Sequence, residues 1–257
     1  CLPRVHWPNR ERILTAEVMV GAIIHLVLSS ATSLARLMTA LRGGEVVGAR
    51  VPEFSSAAFY KRLRTVPHEL FLEVLRETTA EMRVRTPSMR KDLRKLAPFA
   101  NRIIGVDDTT LDALVRKTPS LVAYPKGAWE TLGGRLGCAM DLMTGLFAEV
   151  MYDSDARANE KNHFWPLVER LGAGNLVLFD LGYFSFPLFD RLTESFTYFI
   201  CPLRKGTTFE TVHQGVSTSV YRESIVYLGK HKSDRAAYPV RLVEMTLGEN
   251  GSSYVTP

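Results

Sequence analysis

Two apolar runs in this chain end on aspartate: "RIIGVDD" leads Ile103, Ile104 and Val106 into Asp107 and Asp108, and "NLVLFD" leads Leu176 to Phe179 into Asp180. An apolar run of this length reads as a strand buried on both faces, and an ionised carboxylate at its end costs free energy unless donors or a cation meet it. A strand-end aspartate can simply cap the next helix. If the two strands lie side by side, however, their carboxylates repel, so that either one takes up a proton or both hold divalent cations. Hard oxygen ligands suit Mg²⁺ or Mn²⁺, and two such ions about 3.5–4 Å apart stabilise the attacking and leaving oxygens of an in-line phosphoryl transfer. A third acid usually completes such a cage.

Periodicity gives the secondary structure around these residues. Residues 11 to about 83 read as helical. "SLARLMTALRGG" spaces Leu34, Leu37, Met38 and Leu41 along one face and ends on Gly43 and Gly44. In "SSAAFYKRLRTVP" a serine can cap a helix whose Phe59 and Leu63 face inward while Lys61, Arg62 and Arg64 stay outside, and Pro67 opens a third helix. From residue 102 strands and helices alternate: "RIIGVDD", a hairpin of "GRLGCAMDL" and "LFAEVMYD" turning at "MTG", the helix "KNHFWPLVERLG", the strand "NLVLFD", the helix "FPLFDRLTES" and the strand "FTYFICPL". Beyond residue 204 the pattern is β-rich, with "SIVYLG", "YPVRLVEM" and "SYVTP" as strands.

The order β, ββ, α, β, α, β with acids ending the first and fourth strands is a ribonuclease H-like layout, in which those strands are parallel neighbours. The expected fold is therefore α/β: a ribonuclease H-like mixed sheet with helices at 101–204, preceded by a helical DNA-binding domain with a basic linker at 1–100 and followed by a β-rich insertion at 205–257. In that layout Asp180 lies beside Asp107 or Asp108.

Bulk properties are those of a globular protein: 257 residues, 46% hydrophobic and 23% charged. The longest apolar stretch, "AEVMVGAIIHLVLSS", carries Glu17 and His25 and falls short of the roughly 20 residues that span a bilayer. No signal peptide is recognised. Cys1, Cys138 and Cys201 form no Cys-x-x-Cys pair, so neither a disulfide framework nor a zinc site is indicated, and a reducing cytoplasm fits. The net charge is +5, yet residues 83–102 alone hold seven Lys or Arg against one Asp. Such a concentration suits a polyanion partner, although a solvated helix face has the same composition.

"IIGVDDTTL", "GRLGCAMDLMTGLFAEV" and "LVLFDLGYFSF" together resemble the DDE transposases of the insertion sequence 4 family. The likeness covers residues 100–204 and extends more loosely to "SSAAFYKRLR", which is similar to that family's basic N-terminal helix. The resemblance implies that Asp107, on the D-x-T pattern, and Asp180 are catalytic ligands for two Mg²⁺ (or Mn²⁺) ions, with Asp108 the alternative first ligand. It further implies cleavage of double-stranded DNA at transposon ends and strand transfer into a target. A homodimer in the synaptic complex and a bacterial, nucleoid-associated location follow from it as well. Leu181 replaces the family's usual Arg, and the family's third acid, in a Y-x2-R-x3-E-x6-K helix, has no counterpart; in "YPVRLVEM" Glu244 comes one residue early within a strand-like pattern. The expected DNA contacts are Lys61, Arg62 and Arg64, the run Arg90, Lys91, Arg94 and Lys95, and Tyr183, which can stack on an unpaired base or lie in the core.

Competing signals are weak. "DSDARANEKNH" has Arg157 and Ala158 where a calcium loop needs an oxygen ligand and Gly, and "LGGRLG" lacks dinucleotide-loop spacing. No H-E-x-x-H, G-x-S-x-G or Walker A motif occurs. The alternatives are a non-catalytic DNA-binding remnant of a transposase and a ribonuclease H-like nuclease. An opening on Cys1 and an ending in "GSSYVTP" suggest a chain truncated before its third acid, and so nearly inactive alone. Sequencing the source DNA in frame past codon 257 is expected to reveal the Y-x2-R-x3-E-x6-K helix; an immediate stop codon would favour the remnant.

Overall fold

The apolar runs assemble into one mixed sheet. The computed structural model describes residues 14–29, 34–43, 54–87, 90–111, 133–155, 160–229, 235–247 and 250–257. They fall in two compact units, Cys1–Thr78 and Thr79–Pro257. Most of their elements are those that periodicity predicts; the short helix at Lys91–Leu96 and the strand at Phe209–Ser217 are not.

The first unit holds α1 (Ala16–Leu28), α2 (Leu34–Arg42), α3 (Ser56–Leu63) and the beginning of α4 (His68–Arg85). Thr15 caps α1 by accepting from Val18 N, and Ser55 caps α3 by accepting from Ala58 N at 3.2 Å. Each satisfies a backbone donor that the first helical turn leaves unpaired. Val18, Met19 and Ala22 pack against Leu37, Met38 and Leu41 of α2 and Phe59 of α3, with Leu63 half-buried beside them. The inward faces expected of α2 and α3 are therefore in place. The Leu34 side chain and Gly44 lie outside the described residues.

The second unit holds α5 (Lys91–Leu96), β1 (Ile103–Thr110), β2 (Arg135–Asp141), β3 (Leu146–Asp153), α6 (Glu160–Leu171), β4 (Leu176–Phe179), a 3₁₀ turn (Leu181–Tyr183), α7 (Phe186–Glu194) and β5 (Tyr198–Pro202), then β6 (Phe209–Ser217), β7 (Tyr221–Leu228), β8 (Val240–Leu247) and β9 (Asn250–Thr256). The strand order is β3-β2-β1-β4-β5-β9-β8-β7-β6. β1 runs antiparallel to β2 and parallel to β4, with Ile103 opposite Leu176 and Val106 opposite Phe179. The first and fourth strands are thus neighbours, as the layout requires. At the β2–β3 turn Asp141 accepts from Met143 N at 2.9 Å, and Gly145 takes the left-handed φ of +73° that a side chain would disfavour.

Alternation sends Ile104, Val106, Val177 and Phe179 to one face of the sheet, where they pack with Phe164 and Leu171 of α6 and Leu188, Phe189 and Leu192 of α7. Phe189 and Phe199 stack there with centroids 4.8 Å apart. Ile103, Leu176, Leu178 and Ile200 face the other way and meet Leu93 of α5 and Met143. Strands β7 to β9 share the first of these cores through Val226, Leu228, Val240, Leu242 and Val255, and β9 joins the sheet at Cys201–Val255. Residues 205–257 therefore continue the sheet of 101–204. Strand β6 escapes sequence reading because it is an edge strand exposed at all nine positions, so no buried alternation marks it.

Among the described residues no helix is long and apolar enough to cross a membrane. Phe199 is fully buried in the aromatic stack, so Phe199→Ala removes both transfer energy and packing. Urea unfolding is expected to show a loss of about 3–5 kcal/mol for this substitution.

Candidate active site

Continuing the β1–β4 register by one residue brings Asp107 beside Asp180. Asp180 is still extended, at φ −82° and ψ −176°, and so keeps the spacing of adjacent strands, about 4.8 Å between backbones. Alternation projects both carboxylates from the face that carries Ile103, Leu178 and Ile200, the face on which α5 packs through Leu93. Both residues are exposed.

Each aspartate also makes a local hydrogen bond. Asp107 Oδ1 accepts from Asp108 N at 2.8 Å, and Asp180 Oδ1 accepts from Gly182 N at 3.0 Å, capping the 3₁₀ turn. Capping and a place beside a second acid are thus both true of Asp180.

Asp108 has a different environment. It points to the helix-covered face and receives a two-pronged contact from Arg135, Nε to Oδ2 at 2.6 Å and Nη2 to Oδ1 at 2.9 Å. The two side chains are only 7% and 13% exposed. A fork-to-fork pair of this kind occupies both carboxylate oxygens. Sequence reasoning left Arg135 unassigned because its link to Asp108 exists only across the β1–β2 pairing.

Two thiols flank the aspartates. Cys138 lies directly opposite Asp107 on β2, and burial, with Asp107 and Asp108 nearby, pushes its pKa up. Cys201 is buried, donates to the Asp180 carbonyl at 3.6 Å, and is pushed up to about 12 by burial and by Asp180, against a smaller opposing effect of Arg204. Both thiols therefore stay protonated near neutrality and are poor metal ligands. Asp107 and Asp180 supply hard oxygens of the kind Mg²⁺ takes. No group of three His, Cys, Asp or Glu side chains among the described residues is placed to hold a metal ion. Glu244 is on β8, separated from β4 by β5 and β9, and faces Arg222 at 3.8 Å.

The expected DNA contacts are distributed unevenly. Lys61 and Arg64 are exposed at the end of α3, whereas Arg62 is half-buried and donates through Nε to Leu14 O at 3.1 Å. Lys91, Arg94 and Lys95 are exposed along α5. Arg90 is exposed but grips Asp92 through two nitrogens, and this hydrogen bonding holds the Asp92 carboxyl down at about 2. Tyr183 needs correction: it is 3% exposed, with its ring 4.9 Å from that of Phe164 and 6.1 Å from that of Phe179. The 3₁₀ turn folds its ring back into the core, away from any base. Of the acidic loop, residues 156–159 and the side chains of Glu160 and His163 lie outside the described residues, and Asp153 accepts from Asp155 N at 2.7 Å in an ordinary turn.

A family profile, Transposase DDE domain, matches residues 98–246, more than half of the chain. The chain belongs to that family. The match of this DDE domain takes in β1, β4 and both aspartates. No curated protein matches the chain. Among solved structures, the piggyBac transposase in a synaptic complex with hairpin DNA is 14% identical with a TM-score of 0.41, over 93% of this chain and 51% of that one. The chain thus spans about half the length of that protein.

Removing the Arg135 guanidinium leaves Asp108 buried without its counter-charge. Arg135→Met is expected to cost about 3–5 kcal/mol in urea unfolding, and adding Asp108→Asn is expected to recover a large part of it.

Proposed function

We propose that this DDE-family chain carries the DNA-cleaving site of a transposase similar to those of the insertion sequence 4 family, built on a ribonuclease H-like core. Asp107 and Asp180 are its metal-holding acids, and the observation that carries this reading is their side-by-side placement on one face, Asp107 within β1, which runs on to Thr110, and Asp180 directly after β4. Asp108 is engaged by Arg135, which supports reading Asp107 as the first ligand. The third ligand comes from outside the described residues.

The residues would divide the work as follows. Asp107 and Asp180 would hold Mg²⁺ or Mn²⁺, which when bound activates water and stabilises charge on the phosphate oxygens. Hydrogen bonds from Asp108 N and Gly182 N hold the two carboxylates in place before any cation arrives. Lys91, Arg94 and Lys95 lie on the helix that packs against the same sheet face and would contact phosphates of double-stranded DNA. Such contacts set register rather than sequence preference. Lys61 and Arg64 of the helical unit would add backbone contacts in the same way, and two copies would act together in a synaptic homodimer.

Asp107→Asn and Asp180→Asn each remove a hard oxygen ligand. In the complete transposase each is expected to lower Mg²⁺-dependent cleavage of a DNA end by more than about a hundredfold, beyond the loss that an outer-shell partner causes. In the 257-residue chain each is expected to abolish the rise in melting temperature that Mn²⁺ produces. Cleavage that survives both substitutions would sink the assignment. DNA binding without cleavage by the complete chain would leave the non-catalytic remnant.

A further inference from the structure

Most arginines of the second unit have a carboxylate partner: Arg85 with Glu81, Arg90 with Asp92, Arg135 with Asp108, Arg170 with Glu149, Arg222 with Glu244, Arg235 with Glu210 and Arg241 with Glu223. Arg204 is exposed and has none among the described residues. The β4–β5 register aligns Leu178 with Ile200, so Asp180 falls beside Pro202, and Arg204 follows two residues later. The sheet therefore delivers Arg204 to the end that carries Asp107 and Asp180.

Two features fix it there. Its carbonyl accepts from Thr207 N at 3.1 Å and from the Thr207 hydroxyl at 2.7 Å, which closes a turn and anchors the backbone. Its guanidinium lies over the Phe184 ring, 5.3 Å from the centroid. Phe184 is buried and ends the same 3₁₀ turn that Asp180 caps. The acid thus caps the start of this turn, and the Arg204 guanidinium lies over the ring at its end.

We propose that Arg204 is a phosphate-binding residue of this site, gripping the DNA backbone next to the position where Asp180 acts. Its planar fork suits a phosphate better than a lysine does, and the aromatic shelf beneath it reduces the rotamer freedom lost on binding. Leu181, at the start of the turn, is exposed and brings no charge, and Arg204, from the loop after β5, is the cation that lies over the Phe184 ring at the turn's end. Lys205 follows it, exposed in the same loop. The inference rests on the DNA-cleaving reading above and adds a backbone contact that sequence spacing did not reveal.

The test is the salt dependence of binding to a labelled blunt-ended DNA duplex by the 257-residue chain. Each phosphate contact contributes about 0.9 to the slope of log affinity against log salt. Arg204→Gln is expected to reduce the slope by about that amount, so that between 50 and 200 mM salt the wild type loses about three- to fourfold more affinity than the variant. Arg204→Lys is expected to keep the slope, and Arg222→Gln, whose arginine is paired with Glu244, to leave it unchanged. An unchanged slope for Arg204→Gln overturns the proposal while the DNA reading stands, and a lowered melting temperature with that unchanged slope would make Arg204 a structural counter-ion. Wild-type protein that shows no salt-dependent DNA binding removes the proposed function itself, and this inference with it.

Discussion

A strand turns consecutive side chains to opposite faces, so the register of a pairing decides what each residue can meet. In this protein the governing pairing is β1 with β4, parallel, with Val106 opposite Phe179. Ile104, Val106, Val177 and Phe179 bury their side chains under α6 and α7, and a slip of one residue would expose that whole set. Their burial locks the register, and the register in turn sends Asp107 and Asp180 out together on the far face. The same parity turns Asp108 inward, where a carboxylate is tolerable only because Arg135 reaches it. Two adjacent aspartates thus acquire opposite roles from a hydrophobic constraint.

Charge is then sorted by where it lies. Half-buried Arg135 is held by Asp108, and half-buried Arg102 donates to Leu171 O and Asn175 Oδ1. Lys91, Arg94, Lys95 and Arg204 have no carboxylate partner among the described residues and are exposed. Exposed, unpaired cations keep their affinity for phosphate because no partner competes for them. Arg90 shows the contrast, since Asp92 already holds both prongs of its guanidinium.

The aromatic residues behind Asp180 serve the same geometry from within. Tyr183, Phe184 and Phe189 fill the space between β4 and the two helices, and their packing sets the path of the 3₁₀ turn. Ring contacts of this sort add directional preference to area burial. Asp180 caps the start of that turn, and Arg204 lies over Phe184 at its end.

Much of this was legible in the residues themselves. Apolar runs bounded by Gly and Pro mark β1 to β5 and the two helices between them, and serine capping with Phe59 spacing marks α3, because these signals are local. The approach of Asp107 to Asp180 could be inferred only through a layout, since 73 residues separate them and no local rule connects them. What remained belongs to the tertiary structure: the opposite facing of Asp107 and Asp108, the pairing of Arg135, the burial of Tyr183 and the contact of Arg204 with Phe184. Each depends on strand parity or on contacts between elements distant in sequence, whereas the identity of a residue and its nearest neighbours states only what it could do.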